Sequence, residues 1–94
     1  MKSIEDLLLE PLATAEHAGW ARWMKHLFES CIPNQDGSLT IPAELVAQWQ
    51  RQAETEYFDL SPEEKEADRN EVRRVLPLIR AAIRGSRGPR AGRV

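Results

Sequence analysis

Apolar residues recur at steps of three and four along most of this chain, and this spacing constrains its fold more than any other feature. The pattern is clearest in residues 14–31, where the apolar positions are Trp20, Trp23, Met24, Leu27, Phe28 and Cys31. Because an α-helix turns once in about 3.6 residues, this spacing gathers them on one helical face. No window alternates apolar and polar residues for long enough to predict a sheet. The sequence therefore predicts a mainly α-helical chain.

The first two predicted helices are separated by a proline. Ser3 and Asp6 are typical of a helix start, and Pro11 is expected to end this first short helix. A proline inside a helix removes one backbone hydrogen bond, and its ring clashes with the preceding turn. We therefore expect a second, separate helix that opens at Thr14 and extends to about Cys31.

A turn-rich segment follows the second predicted helix. It contains the turn-forming residues Pro33, Asn34, Asp36 and Gly37, and an Asp-Gly pair is a common hairpin tip. A very short β-ribbon around residues 32–41 is therefore an open alternative to an irregular loop.

Thr40 or Ile41 is expected to cap the third predicted helix, which frays near Thr55. Pro42 falls in its first turn, where a missing N–H costs nothing. The residues expected on its buried stripe are Leu45, Val46, Trp49 and Ala53. In the linker that follows, the apolar side chains of Tyr57, Phe58 and Leu60 are expected to anchor the chain onto the second and third helices.

The strongest helix start is the sequence Ser61-Pro62-Glu63-Glu64. It combines a serine at the N-cap, a proline at the first helical position and a glutamate at the third. Apolar residues then continue at helical spacing through Val72, Val75, Leu76, Ile79 and Ile83. The prediction is a fourth helix, kinked or split at Pro77, and a compact bundle of about four helices.

Charge is distributed unevenly along the chain. The 94 residues fit a single helical domain, residues 1–83, followed by a flexible basic tail, residues 84–94. Residues 1–83 contain nine Lys and Arg against fifteen Asp and Glu, a net charge of −6, which disfavours a dedicated DNA-binding surface. The candidate contacts for nucleic acid are the tail arginines Arg84, Arg87, Arg90 and Arg93.

The sequence lacks recognisable catalytic and metal-binding patterns. It has no glycine-rich phosphate loop, no paired-cysteine spacing and no nucleophile elbow, and His17 and His26 fall on opposite sides of one helix. The single cysteine, Cys31, is expected to be a small core residue. Together with the absence of a secretory leader pattern, it indicates a reducing cytoplasm. We expect a protein that is not an enzyme and has no cofactor.

Aromatic residues are the strongest candidates for a ligand site. A chain of this size seldom hides three tryptophans fully, so the rings either form the core or line a groove in which a base, a peptide or a protein stacks. Lys65 and Arg69 share one face of the last helix, where they form intrahelical ion pairs or donate hydrogen bonds to an anion. The candidate ligand-binding residues are Trp20, Trp23, Trp49, Tyr57, Lys65 and Arg69.

Two segments resemble a known repeat. The stretch YFDLSPEEKEADR, residues 57–69, is similar to the ending of the ryanodine-receptor repeat, and HAGWARWM, residues 17–24, resembles its His-x-x-Trp opening. With the DGSLTIP turn, residues 17–79 are also similar to small uncharacterised proteins of tailed bacteriophages and prophages. The repeat's middle glycine-tryptophan segment is replaced here by a helix-forming run. The positions that match are His17, Trp20, Tyr57, Leu60, Lys65, Asp68 and Arg69.

The resemblance implies a function without catalysis. Repeats of this kind serve as docking surfaces in large channels and are associated with nucleotide recognition in bacteria. The expected function is a cytoplasmic, phage- or prophage-type binding module that captures a nucleotide-like small molecule or binds and modulates a host protein. Two alternatives stay open: a nucleic-acid-associated accessory protein that uses the basic tail, and a self-assembling structural protein.

Overall fold

The structure is a computed structural model that describes residues 2–86. In chain order, its elements are α1 (Ile4–Ser30), β1 (Ile32–Pro33), β2 (Leu39–Thr40), α2 (Ala43–Ala53), a 3₁₀ turn (Tyr57–Asp59) and α3 (Pro62–Ser86). The mainly helical class predicted from the sequence is confirmed. The described residues form three α-helices, however, and not the four that the sequence predicts.

The difference arises in α1, which continues through Pro11. The helix begins at a reciprocal cap: the Asp6 N–H donates to the Ser3 hydroxyl at 3.1 Å, and the Ser3 N–H donates to the Asp6 carboxylate at 3.4 Å. Pro11 lacks the N–H that would bind the Leu7 carbonyl. The half-buried positions nevertheless pass through the proline without a break: Leu7, Leu8, Pro11, Leu12 and Ala15. Packing along this shared stripe keeps the helix in one piece.

The short β-ribbon is present. Ile32 pairs with Thr40, and Pro33 pairs with Leu39, in antiparallel register. The turn between the strands is closed by a backbone hydrogen bond from the Asn34 N–H to the Ser38 carbonyl, at 2.9 Å.

The tip of this turn depends on a glycine and an aspartate. Gly37 has a φ of +90°, in the left-handed region that favours a residue without a Cβ. The Asp36 carboxylate accepts hydrogen bonds from the hydroxyl of Ser38 at 2.6 Å and from its backbone N–H at 2.9 Å. These two bonds hold the pKa of Asp36 below its usual value because they favour the ionised carboxylate.

The helix α2 begins slightly later than predicted and buries a narrower stripe. Pro42 occupies its N-cap position, with no side-chain cap hydrogen bond. Leu45 and Trp49 are half-buried as expected, but Val46 is 37 % exposed and Ala53 is also exposed.

The helix α3 is not split at Pro77 and extends to Ser86. The first three residues of the expected flexible tail, residues 84–86, are therefore helical. The rest of that tail, residues 87–94, lies outside the described residues.

The described chain divides into two compact units, and α1 and α3 each contribute to both. Residues 2–19 and 68–86 form the first, which we call the terminal unit. Residues 20–67 form the second, which we call the central unit. Within the terminal unit, a Cβ at Gly85 would lie 3.5 Å from Leu7 Cδ1, so the start of α1 packs against the end of α3. The single domain expected over residues 1–83 stays a prediction.

Few side chains are deeply buried. Within residues 2–85, only Cys31 and Ala82 are nearly covered, with 8 % and 7 % of their surface exposed. The prediction that Cys31 is a small core residue is confirmed. Large apolar side chains lie at the surface in both units, including Leu9 in the terminal unit and Phe58 in the central unit. No helix in the described part of the chain combines the length and apolar character needed to span a membrane.

Candidate binding surface of the central unit

Two of the tryptophans predicted for the ligand site contact each other. Trp23 on α1 and Trp49 on α2 have ring centroids 5.2 Å apart and ring planes at 70°, an edge-to-face arrangement. The Trp23 ring also lies 5.5 Å from the ring of His26. Trp49 is half-buried, whereas Trp23 keeps 43 % of its surface exposed. The pair therefore connects α1 to α2 and still presents part of the Trp23 indole at the surface.

A second group of predicted residues lies around the 3₁₀ turn. The Lys65 ammonium is 6.0 Å from the centre of the Tyr57 ring, at the outer limit of a cation–π contact. Phe58 meets Tyr57 edge-on, with ring centroids 5.3 Å apart and planes at 79°. These contacts bring together two of the candidate ligand-binding residues, Tyr57 and Lys65.

Phe58 does not anchor the linker. It is 82 % exposed, so the prediction that its ring packs onto the helices is wrong. Successive residues of a 3₁₀ turn project about 120° apart, and a turn that directs Tyr57 towards Lys65 therefore directs Phe58 elsewhere. Leu60, just after the turn, is half-buried and remains the better anchor.

The carboxylate of Glu64 holds the end of this linker in place. The Ser61 N–H donates to Glu64 Oε1 at 3.1 Å, and the Glu64 N–H donates to the Ser61 hydroxyl at 3.2 Å, which is the predicted capping box. Arg51 donates through Nη2 to Glu64 Oε2 at 2.5 Å and through Nη1 to Oε1 at 3.4 Å. The hydrogen bond from Arg51, followed by that from the Ser61 backbone, lowers the pKa of Glu64 to about 2.

Arg51 is the residue of this region that the sequence analysis missed. It lies thirteen positions before Glu64, and helical spacing rules connect only residues three or four apart. The sole signal in the sequence was an arginine near the end of one helix, ahead of an acidic helix start. Such a pattern does not identify the partner.

The remaining candidate residues are divided between the two units. Trp20 lies on α1 within the central unit and is 57 % exposed, whereas Arg69 is an exposed residue of the terminal unit. Five of the six predicted ligand-binding residues therefore belong to the central unit. Arg84 is an exposed residue of α3, and the other tail arginines, Arg87, Arg90 and Arg93, lie outside the described residues.

Five exposed rings give the central unit its chemical character. Their exposed fractions range from 36 to 82 %, and we call them the exposed aromatic set: Trp20, Trp23, Phe28, Tyr57 and Phe58. The same unit contains four Lys and Arg against nine Asp and Glu, a net charge of −5. Within residues 2–86, no group of three or more His, Cys, Asp or Glu side chains is placed to hold a metal ion.

Comparisons of this chain with protein-family models, with curated proteins and with solved structures found no match. The resemblance to the ryanodine-receptor repeat and to phage proteins therefore remains an expectation from the sequence.

Proposed function

We propose that this chain is a non-catalytic binding module that recognises a protein partner through the exposed aromatic set of the central unit. The observation that carries the proposal is the exposure of five aromatic side chains within residues 20–67, with Phe58 at 82 %. A single exposed apolar residue is ordinary on a protein surface. Large rings that stay exposed mark an interaction surface where they are contiguous, and Tyr57 and Phe58, whose rings contact each other, form such a pair.

The geometry of the rings suits an anchor role. Aromatic side chains are enriched at the energetically dominant positions of interfaces. Trp23 contacts Trp49 edge-to-face, and Tyr57 contacts Phe58 edge-to-face with the Lys65 ammonium 6.0 Å from the centre of its ring. Rings that are already positioned lose less conformational freedom when a partner binds, so more of their contact energy appears as affinity.

The charge of the central unit indicates what kind of partner fits. A net charge of −5 favours a protein with a neutral or basic rim around its apolar contact and repels phosphate groups. The likeness to phage and prophage proteins adds the partner class, a protein of the bacterial host. A protein partner is therefore a better fit than a nucleotide.

The test compares matched surface variants. Bacterial lysate is passed over the parent chain, over Phe58→Ala and over Leu9→Ala, which removes a side chain of similar exposure from the terminal unit. We expect the parent and Leu9→Ala to retain a common protein that Phe58→Ala loses. With that protein purified, calorimetry should show a dissociation constant raised roughly tenfold or more by Phe58→Ala. Equal binding to all three chains would refute the proposal.

A nucleotide ligand is the second candidate, and the placement of Lys65 over Tyr57 favours it. A base can stack on an aromatic ring while a lysine meets its phosphate. Thermal-shift measurements with a panel of nucleotides would compare the parent with Lys65→Met, Tyr57→Ala, Trp20→Ala and Arg69→Ala. A nucleotide site predicts stabilisation of the parent that Lys65→Met and Tyr57→Ala abolish. If no nucleotide stabilises the parent, this candidate is eliminated.

A further inference from the structure

In the terminal unit, the apolar face of α3 is only partly covered by the rest of the chain. Ala82 is nearly buried, and Val75, Leu78 and Ile79 are half-buried. At about 100° per residue, three exposed side chains lie within about 40° of one another and border this buried side. We call them the α3 row: Val72, Leu76 and Ile83, with exposed fractions of 54, 41 and 40 %.

The other border of the α3 row is basic. The next sector of the helix, about 60° to 120° from Val72, holds Arg69, Arg73, Arg80 and Arg84. A helix that faces only water normally carries polar side chains outside its buried stripe. An apolar row followed by a row of arginines is instead typical of a helix that packs against another helix with acidic flanks.

The start of α1 has the complementary character. Between Ile4 and Gly19 it contains four acidic residues and no Lys or Arg: Glu5, Asp6, Glu10 and Glu16. Glu5, Leu9 and Glu16 share one sector of this helix within about 40°, and Leu9 is 68 % exposed. Residues 68–86 contain five arginines against Asp68 and Glu71, a net charge of +3. One compact unit thus offers an acidic helix and a basic helix, each with exposed aliphatic side chains.

We propose that a second copy of this chain covers the α3 row, in a two-fold dimer in which the acidic start of α1 of each copy lies against the basic end of α3 of the other. A two-fold axis makes each contact twice, so a surface with one acidic and one basic helix is complementary to itself. Two helices from each copy then surround a shared apolar core, as in a four-helix bundle.

The length of α3 is sufficient for an interface with a second copy of the chain. Residues 68–86 of α3 extend over about 28 Å, which is long enough for an interface of standard size, about 800 Å² from each partner. The scarcity of buried side chains within residues 2–85 agrees with a dimer, since obligate dimers often have no stable folded monomer. This surface lies in the terminal unit and is distinct from the exposed aromatic set, so either proposal can fail without the other.

The first experiment is sedimentation velocity on the full 94-residue chain across the micromolar range. We expect a species of twice 10.7 kDa. Leu76→Glu, which places a charge in the α3 row, should give the 10.7 kDa monomer. Phe58→Glu, which places the same charge on the central unit, should remain dimeric. A monomeric parent, or a dimer that Phe58→Glu dissociates and Leu76→Glu does not, overturns the proposal.

If Leu76→Glu fails to fold, a charge-reversal experiment tests whether α1 of one copy pairs with α3 of the other. One variant carries Arg80→Glu with Arg84→Glu, and the other carries Glu5→Lys with Glu16→Lys. Each alone sets like charges against each other at both contacts, and we expect its dimer dissociation constant to rise roughly tenfold or more. Mixed together, the two variants restore opposite charges at both contacts and should form a heterodimer. If the mixture is no more associated than either variant alone, the proposed pairing is wrong.

Discussion

Arg51 and Glu64 form a two-point ion pair that joins the end of α2 to the first turn of α3. The shorter of its two contacts is 2.5 Å, and the same carboxylate also accepts the Ser61 N–H. A planar guanidinium matches the two oxygens of a carboxylate, which gives the contact direction as well as charge. The linker with Tyr57 and Phe58 lies between these two residues, so the pair fixes both ends of the segment that presents those rings.

Glu64→Gln is expected to lower the stability of the folded chain at neutral pH. It should also reduce the loss of stability that the parent shows as the pH falls. The pKa of Glu64 in the folded chain is about 2, below the ordinary value of 4.5. The stabilisation is therefore fully present above the ordinary pKa and is lost as the pH falls from there towards the folded pKa. Thermal melts followed by circular dichroism at a series of pH values will show this.

The control for that experiment is Glu63→Gln, which removes the same charge from the same helical turn. We expect its melting temperature to follow the pH dependence of the parent. Parallel curves for the parent and Glu64→Gln would contradict the role given to the Arg51 pair.

Ser61→Ala is expected to destabilise the chain by about 1 kcal/mol, because the Glu64 N–H loses its hydroxyl acceptor. Ser61→Asp supplies another N-cap acceptor and should retain most of the stability. Urea unfolding is the appropriate measurement, with a lower midpoint and an unchanged m value for Ser61→Ala. Equal midpoints for the parent and Ser61→Ala would show that the cap does not matter here.

Alanine substitutions at Gly37 and Gly85 should change the free energy of unfolding in opposite directions. At Gly37, with a φ of +90° and no atom within 4 Å of a new Cβ, the cost is purely conformational, about 1–2 kcal/mol. At Gly85, a helical residue, the new Cβ would make an ordinary contact with Leu7 at 3.5 Å. Alanine should therefore stabilise α3 by about 0.5–1 kcal/mol. Thermal and urea unfolding of both variants test these two predictions. Changes in stability of the same sign in both variants would contradict them.

The Trp23–Trp49 contact should appear as a coupling energy in a double-mutant cycle. Edge-to-face aromatic pairs contribute about 0.5–1.5 kcal/mol beyond the area they bury. Unfolding of Trp23→Ala, Trp49→Ala and the double variant measures this quantity. As a control, Trp23→Ala combined with Phe58→Ala should be additive within about 0.5 kcal/mol. Additivity of Trp23→Ala with Trp49→Ala would mean that the two rings do not stabilise each other.

Pro11→Ala is expected to stabilise α1, by up to about 3 kcal/mol, because it restores the N–H that the Leu7 carbonyl lacks. Pro42→Ala is the matched control, since this proline occupies an N-cap position and interrupts no helix. Only Pro11→Ala should raise the melting temperature and the helical signal in circular dichroism. A loss of stability in Pro11→Ala would show that α1 depends on its proline.

The starts of α1 and α3 follow directly from the sequence. The cap at Ser3 and the cap at Ser61 each use a side chain that binds a backbone group three residues away, so the signal and the structure share one short segment. The same holds for the Asp36-Gly37 turn, which adopts the hairpin that its residues favour. Local hydrogen bonds of this kind can be predicted without knowledge of the rest of the chain.

Other features required the tertiary structure because they depend on residues far apart in the sequence. Pro11 remains inside a helix because packing along α1 spans both sides of it. The partner of Glu64 lies on another helix, and the outward direction of Phe58 follows from the turn between α2 and α3. The sequence by itself determined that the chain is helical and where two of its helices begin. Which aromatic side chains are covered and which face solvent was decided only by packing, because a side chain is buried only where another part of the chain reaches it.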